Sequence, residues 1–75
     1  MSEVSIDGVV IYGKDSCPYT ADALASHKAR GAAVEYVNVT RDAAGMERML
    51  ALTGGQRRVP VIVEGGQVTI GFGGT

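Results

Sequence analysis

The sequence predicts a single small α/β domain with the element order β-α-β-α-β-β. Its 75 residues have room for one domain with a thin core, taken to span residues 1–75. Short apolar runs alternate with Ala- and Leu-rich stretches of helical length, which is typical of strands joined through helices. Gly65-Gly66 separates the last two apolar runs, and a glycine pair between strands favours a tight hairpin.

The first strand is predicted at Val9–Tyr12, a continuous and mostly β-branched run that is typical of a strand buried on both faces. Pro18 then stands where the first turn of a helix accepts proline. This helix continues over Thr20–Arg30 and ends at Gly31, a common C-terminal stop. His27 is expected on its exposed face. The positions expected to face the core are Ala21, Leu24, Ala25 and the aliphatic stem of Lys28.

The second strand is predicted at Val34–Val39, where apolar and polar residues alternate. Tyr12 and Tyr36 are expected in or beside the core. The second helix follows Asp42, a suitable N-cap, and ends at Gly54-Gly55. Its predicted core face consists of Met46, Met49, Leu50 and Leu52.

The third strand begins at Val61, since Pro60 cannot join a regular central strand. It forms an antiparallel hairpin with Val68–Ile70, and residues 71–75 are expected to lack regular structure. The first two strands, joined through a helix, should be parallel with a right-handed crossover. Helices should therefore cover both faces of one sheet.

Charge and composition exclude several functions. Seven Lys and Arg residues against eight Asp and Glu give a net charge of −1, which argues against a nucleic-acid binder. No apolar run approaches the ~18 residues of a membrane span. Met1-Ser2-Glu3 lacks the features of a signal peptide, so a cytoplasmic location is expected. The single cysteine excludes an internal disulfide and a Cys-rich zinc site.

Cys17 is the residue that most favours chemistry. It lies between the loop at residues 13–16 and Pro18, which places its sulfur at the predicted start of the first helix. Free backbone N–H groups, the positive end of the helix dipole and Lys14 there favour a thiolate, with a pKa below about 8.5. The alternative is a buried apolar filler, but the loop position, the proline and the lysine favour a reactive thiol.

Val59-Pro60, before the third strand, is either an ordinary strand start or a cis-proline. With a cis bond, the N–H and C=O of Val59 are placed to pair with an extended peptide. The preceding Gln56-Arg57-Arg58 either forms a solvated loop or binds a carboxylate through its arginines.

Two segments together, Lys14-Asp15-Ser16-Cys17-Pro18-Tyr19-Thr20 and Gln56-Arg57-Arg58-Val59-Pro60, resemble those of glutaredoxins. The resemblance extends from Val9 to Gly71, with the strands, helices, Cys-Pro-Tyr turn and Val-Pro in the family's order. It implies a thioredoxin-like fold, which is α/β with a four-stranded mixed sheet and helices on both faces. It also implies an enzyme, a thiol–disulfide oxidoreductase that reduces protein disulfides and glutathione mixed disulfides.

The resemblance further implies the site. Cys17 would be the nucleophile and leaving thiolate. Val59 would pair its backbone with the cysteine of glutathione, and Gln56 and Arg57 would approach its glycine carboxylate. The residues expected to bind glutathione or substrate are Lys14, Pro18, Tyr19, Thr20, Gln56, Arg57, Arg58, Val59, Pro60 and Gly71. Glutathione is the expected co-substrate, and neither a tightly bound cofactor nor a metal is expected.

The sequence departs from the family at several positions. Thr20 replaces the common second cysteine, so the chain is monothiol, and Arg58 replaces the usual Thr before Val-Pro. The glycine pair and acidic pair that receive the amino end of glutathione are absent. Gly71-Phe72 is closer to the glutaredoxin-like hydrogen donors of ribonucleotide reductase, which take electrons from thioredoxin reductase. Thioredoxin reductase is therefore an alternative partner.

The sequence ends at Thr75, without the family's last helix. An apolar strip beside the first helix is therefore expected to be open, which allows a weak homodimer as an alternative to a monomer. The chain is also similar to UXX-star proteins, whose glutaredoxin-like body carries selenocysteine or cysteine third from the C-terminus. On that interpretation a further redox residue follows the sequence.

The sequence is compatible with three functions. The leading one is thiol–disulfide exchange through Cys17. The second is an iron–sulfur cluster carrier, a dimer bridged through two Cys17 and two glutathiones, although Cys-Pro-Tyr-Thr differs from the Cys-Gly-Phe-Ser best known for that role. The third is a non-catalytic module that holds a peptide at Val59 and has an ordinary thiol pKa.

Overall fold

A computed structural model describes residues 8–73 of the chain. Its elements follow the predicted order: β1 (Gly8–Gly13), α1 (Pro18–Ala29), β2 (Ala33–Asn38), α2 (Ala43–Thr53), β3 (Val61–Glu64) and β4 (Gln67–Ile70). Residues 71–73 belong to no helix or strand, as predicted, whereas positions 74–75 lie outside the described residues. None of the helices within residues 8–73 has the length and apolar character needed to cross a membrane.

The four strands form one mixed sheet in the order β2-β1-β3-β4. β1 and β2 are parallel, and the pairs β1–β3 and β3–β4 are antiparallel, so the predicted strand directions are confirmed. Gly65 and Gly66 have φ angles of 59° and 81°. Positive φ at both central residues is typical of a type I′ turn in a two-residue hairpin, and glycine adopts it without steric cost.

The two helices cover opposite faces of the sheet. Ala23 of α1 packs with Val9, Ile11 and Ile62 on one face. Met49 of α2 belongs to the cluster on the other face, which also contains Tyr12, Val37, Val39 and Val61. Successive strand residues point to opposite faces, so β1 contributes to both clusters and is buried on both sides. The predicted α/β architecture, with helices on both faces, is confirmed.

The predicted core face of α1 is confirmed only at Leu24, which is half-buried and packs against the core cluster on this side of the sheet. The other predicted positions, Ala21, Ala25 and Lys28, are exposed. The buried positions of this helix are instead Thr20, Ala23 and His27. They keep the expected helical spacing but lie on a face that is shifted around the helix from the predicted one.

His27 is buried, contrary to the expectation of an exposed side chain. Its Nδ1 accepts a hydrogen bond from Arg30, which also forms an ion pair with Glu64 at 3.1 Å. Its ring lies tilted against Phe72, with 6.3 Å between the centroids. Burial of the imidazole is therefore compatible with its polarity, since one ring nitrogen already has a partner.

The second helix begins and ends as predicted. The Asp42 side chain accepts a hydrogen bond from the Gly45 N–H at 2.9 Å, and Gly54 ends the helix with a left-handed φ of 71°. Met49 is fully buried. Leu52 is 43% exposed, so its assignment to the core face is wrong.

Beside α1, an open depression of about 350 Å³ lies over the β3–β4 hairpin. The sequence predicts an open apolar strip beside the first helix. The depression is open as predicted, but both apolar and polar residues line it. The lining residues are His27, Ile62, Glu64, Gln67, Thr69 and Phe72.

Candidate active site

Cys17 is the N-cap residue of α1. Its backbone is extended, with φ −93° and ψ 115°, while its C=O accepts the first helical hydrogen bond from the N–H of Ala21 at 3.2 Å. The Cys17 N–H donates to the C=O of Lys14 at 3.2 Å, which closes the loop into a tight turn. The side chain is half-exposed. The sulfur therefore lies where a helix start offers unpaired N–H groups and a positive dipole end.

The surroundings lower the pKa of the Cys17 thiol. Partial burial raises this pKa, but the Thr20 hydroxyl, the backbone N–H groups of Thr20 and Tyr19, and the charge of Lys14 together lower it by more. The Cys17 side chain itself accepts no capping hydrogen bond in α1. The direction agrees with the expectation from the sequence, and it favours the nucleophilic thiolate.

Thr20 lies one helical turn after Cys17 and is 1% exposed. Its Oγ1 is buried without a hydrogen-bond partner among the described residues. A buried hydroxyl normally finds a partner, and one that does not costs stability. The free donor beside the sulfur is therefore available to a thiolate.

The Val59–Pro60 peptide bond is cis, which decides between the two alternatives left by the sequence. Pro60 is buried, and its C=O accepts a hydrogen bond from the N–H of Gly71 at 2.7 Å. Val59 is half-buried, and no hydrogen bond from residues 8–73 engages its own backbone N–H or C=O. Within the described part of the chain, these two groups are therefore unpaired at the entry to β3.

The tail after β4 joins these two parts of the site. The N–H of Gly71 is hydrogen-bonded to the C=O of Pro60. Two residues later, Gly73 lies close to Tyr19, since a Cβ added at Gly73 would be 3.8 Å from Cδ1 of the tyrosine ring. Tyr19 is itself 39% exposed. The Cys17 turn and the Pro60 segment thus both border the short stretch at residues 71–73.

The structure leaves the remaining predicted residues at the surface. Lys14, Pro18 and the segment at residues 56–58 are exposed. The N–H of Gln56 donates to the Thr53 hydroxyl at 3.0 Å, which ties the start of this segment to the end of α2. No ion pair within residues 8–73 involves Arg57 or Arg58.

Tyr36 is a residue that the sequence analysis did not connect with the site. Its hydroxyl donates to Oδ1 of Asp15, in the loop before Cys17, at 2.9 Å. The predicted parallel pairing of the first two strands could have indicated this contact, because the carboxyl ends of parallel strands lie at the same edge of the sheet. Tyr36 lies near that end of β2, and the loop leaves the same end of β1.

Among the described residues, no group of three His, Cys, Asp or Glu side chains is placed to hold a metal ion. The reactive group that the site presents is the half-exposed sulfur of Cys17. A thiol of lowered pKa, presented at the start of the first helix of a mixed four-stranded sheet, defines a redox protein with the thioredoxin-like fold. The glutaredoxin family model matches residues 9–69, and the chain belongs to the glutaredoxin family.

Solved structures agree with this assignment. A glutaredoxin of Archaeoglobus fulgidus has a TM-score of 0.77 at 22% identity, over 97% of this chain and 87% of that one, a likeness of fold. The glutaredoxin-like NrdH-redoxin of Escherichia coli has a TM-score of 0.76 at 27% identity, over 88% and 84%. Buckwheat glutaredoxin, solved with glutathione, has a TM-score of 0.69 at 26% identity, over 84% and 59%. No curated protein is significantly similar to the chain.

Proposed function

We propose that the protein is a thiol–disulfide oxidoreductase in which Cys17 is the single nucleophile, acting on glutathione mixed disulfides or protein disulfides. The observation that carries this proposal is the half-exposed Cys17 thiol, with its lowered pKa, at the start of α1. A thiolate is the attacking species in disulfide exchange, and a partly exposed sulfur is open to substrate. Membership in the glutaredoxin family supports the same chemistry.

The reaction needs two exchanges. In the first, the Cys17 thiolate attacks one sulfur of the substrate disulfide, a new S–S bond to Cys17 forms, and the other sulfur leaves as a thiolate. In the second, the thiolate of an added thiol such as glutathione attacks the mixed disulfide on Cys17 and releases the Cys17 thiolate. The added thiol ends in a disulfide, so it supplies the two electrons. The sequence has no second cysteine to close an internal disulfide.

Unpaired backbone groups and exposed cations support glutathione as the co-substrate. The unpaired N–H and C=O of Val59 suit the extended backbone of a bound peptide. The exposed cations Lys14, Arg57 and Arg58 have no ion pair within residues 8–73, and arginine binds a carboxylate in bidentate fashion. Tyr19, two residues after Cys17 in α1, is 39% exposed and therefore accessible to a bound substrate.

The test compares wild type with Cys17→Ser in the reduction of a glutathionylated peptide by glutathione, followed through glutathione reductase and NADPH. We expect turnover by the wild type and loss of turnover in the variant, because a serine hydroxyl is not ionised at neutral pH. Thermal unfolding of both proteins controls for folding. Equal rates in the two proteins would contradict the proposal.

A second candidate concerns the electron donor. The chain resembles the E. coli NrdH-redoxin, a glutaredoxin-like protein with a thioredoxin-like activity profile, at 27% identity. This likeness favours thioredoxin reductase, in place of glutathione, as the agent that reduces oxidised Cys17. Reduction of the Cys17–glutathione mixed disulfide by each donor in turn separates the two cases, since only the physiological type of donor should act at low concentration.

A further inference from the structure

The Tyr36 side chain connects the sheet with the loop that carries the candidate active site. Tyr36 pairs with Ile11 in the parallel register and therefore lies on the α1 face of the sheet. Its hydroxyl reaches Oδ1 of Asp15 at 2.9 Å, across 21 positions of sequence. The hydrogen bond thus fixes the position of a carboxylate two residues before Cys17.

The Asp15 carboxylate belongs to the residue that follows Lys14, the cation that acts on the Cys17 sulfur. Lys14 helps to lower the pKa of Cys17, whereas a negative charge nearby has the opposite effect. The ion pair between Arg30 and Glu64 is the only one within residues 8–73, so Lys14 is not paired with Asp15 there. Asp15 is instead engaged by the Tyr36 hydroxyl.

Tyr36 stays a hydrogen-bond donor over the pH range in which a cysteine ionises. Burial, followed by the hydrogen bond and charge of Asp15 and then the charge of Cys17, raises the pKa of Tyr36 to about 12, against a smaller opposing effect of Arg41. The charged groups around its hydroxyl thus come from the loop, from the start of α1 and from the β2–α2 connection. A neutral phenol among them holds the carboxylate without adding a charge.

We propose that Tyr36 is a positioning residue of the candidate active site: its hydroxyl holds the Asp15 carboxylate, so that the Lys14 ammonium stays available to Cys17. Without that hydroxyl, Asp15 is free to pair with Lys14 or to turn towards the sulfur. Either movement makes the thiolate less favourable. The importance of this role rests on the proposed function, but the property itself is the ionisation of one thiol.

The first experiment measures the pH profile of Cys17 alkylation by iodoacetamide in wild type, Tyr36→Phe and Tyr12→Phe. Tyr12 is the matched control: it lies on the opposite face of the sheet, where its hydroxyl raises the pKa of Arg48. We expect Tyr36→Phe to move the profile to higher pH and to slow alkylation at pH 7 by about two- to fivefold, as for loss of a partly screened neighbouring charge. We expect Tyr12→Phe to leave the profile unchanged. An unchanged profile in Tyr36→Phe, or an equal shift in both variants, would overturn the inference.

The second experiment adds Asp15→Asn, which removes the carboxylate charge but keeps the shape of an exposed side chain. In the Tyr36→Phe background this change should return the alkylation profile to that of wild type or to lower pH, because no carboxylate remains to compete for Lys14. If the shift persists in the double variant, Tyr36 does not act through Asp15 and the inference fails.

Failure of the inference and failure of the proposed function have different signatures. Alkylation reports ionisation of Cys17 whether or not the protein exchanges disulfides. A shifted alkylation profile in Tyr36→Phe, in a protein that never reduces a mixed disulfide, would support the positioning role and contradict only the proposed function. An active wild type with an unshifted alkylation profile in Tyr36→Phe would instead support the proposed function and contradict the positioning role.

Discussion

Thr20 carries a hydroxyl that is buried beside Cys17 and has no hydrogen-bond partner among residues 8–73. In the thiol form this hydroxyl lowers stability, since an unsatisfied buried hydroxyl costs about 1–3 kcal/mol. In the thiolate form it stabilises the charge and lowers the pKa of Cys17. Thr20→Val removes the hydroxyl and keeps the shape. We therefore expect the pKa of Cys17 to rise, with alkylation at pH 7 slowed by about two- to fivefold.

The stability of this variant should move the other way. At pH 5, where the thiol is protonated, Thr20→Val should unfold at the same or a higher urea concentration than wild type. Thr69→Val, at an exposed threonine of β4, is the matched control and should change neither quantity. A variant that loses stability while its thiol titrates as in wild type would show that Thr20 serves packing alone.

At the scale of single elements, α2 lies against β2 through a glycine. Gly45 is buried in the first turn of α2, and a Cβ at this position would overlap Cγ1 of Val37 and lie 3.2 Å from the Asp42 carboxylate. Helix propensity alone predicts that Gly45→Ala gains roughly 0.5–1 kcal/mol. Overlap in a packed core costs about 1–3 kcal/mol, and the Asp42 cap is disturbed as well. We expect a net loss in the free energy of unfolding, measured by urea denaturation.

Ala44, the exposed neighbour of Gly45, supplies the comparison. Ala44→Gly should lower the free energy of unfolding by roughly 0.5–1 kcal/mol through propensity alone. In the double variant Val37→Ala/Gly45→Ala, the smaller side chain at position 37 relieves the overlap. Its loss in the free energy of unfolding should therefore be smaller than the sum of the losses in the two single variants. A Gly45→Ala protein more stable than wild type would mean that α2 tolerates a wider separation from the sheet.

The elements could be predicted from the sequence because their signals are local. Asp42 and Gly54 cap α2 as expected, and the glycine pair at 65–66 forms the hairpin. The buried face of α1 could not be predicted by hydropathy, because two of its three buried residues, Thr20 and His27, are polar. Thr20 lies beside Cys17, and His27 depends on Arg30 and Phe72 for partners, and neither relation shows in a hydropathy pattern.

At the scale of the whole molecule, the candidate site also combines features that the sequence predicts locally with features that it does not. The Cys17 turn is a local feature, and its position at a helix start with a lysine nearby could be predicted from adjacent residues. The cis bond at Pro60 could be offered only as one of two alternatives. The contact of Tyr36 with Asp15 depends on strand register and on a side-chain conformation, which no short pattern specifies.

Ionisation of Cys17 also couples the site to the stability of the whole fold. The pKa of Cys17 is lower in the folded protein than the value of about 8.5 expected for an unfolded chain. Between these two values the unfolded state binds more protons, so folding is favoured increasingly as pH rises. Relative to Cys17→Ser, wild type should gain stability through this window and no more above it. Urea unfolding of both proteins from pH 5 to 9 measures the difference, and a constant difference would contradict a lowered pKa.

Tyr36 should produce the opposite trend at higher pH. Its pKa is raised to about 12 in the folded protein, against about 10 in an unfolded chain. The stability that this residue contributes is therefore complete below pH 10 and is lost as the pH rises towards 12. Tyr36→Phe should lack this decline.

The linkage between Cys17 ionisation and stability also bears on redox chemistry. A mixed disulfide at Cys17 has no thiolate, so it loses the stability that the reduced protein gains when Cys17 ionises. The reduced protein should then unfold at higher urea concentration than its glutathionylated form at pH 8, and by a smaller margin at pH 5. Such a protein favours its reduced state, and so passes a disulfide on more readily than it retains one.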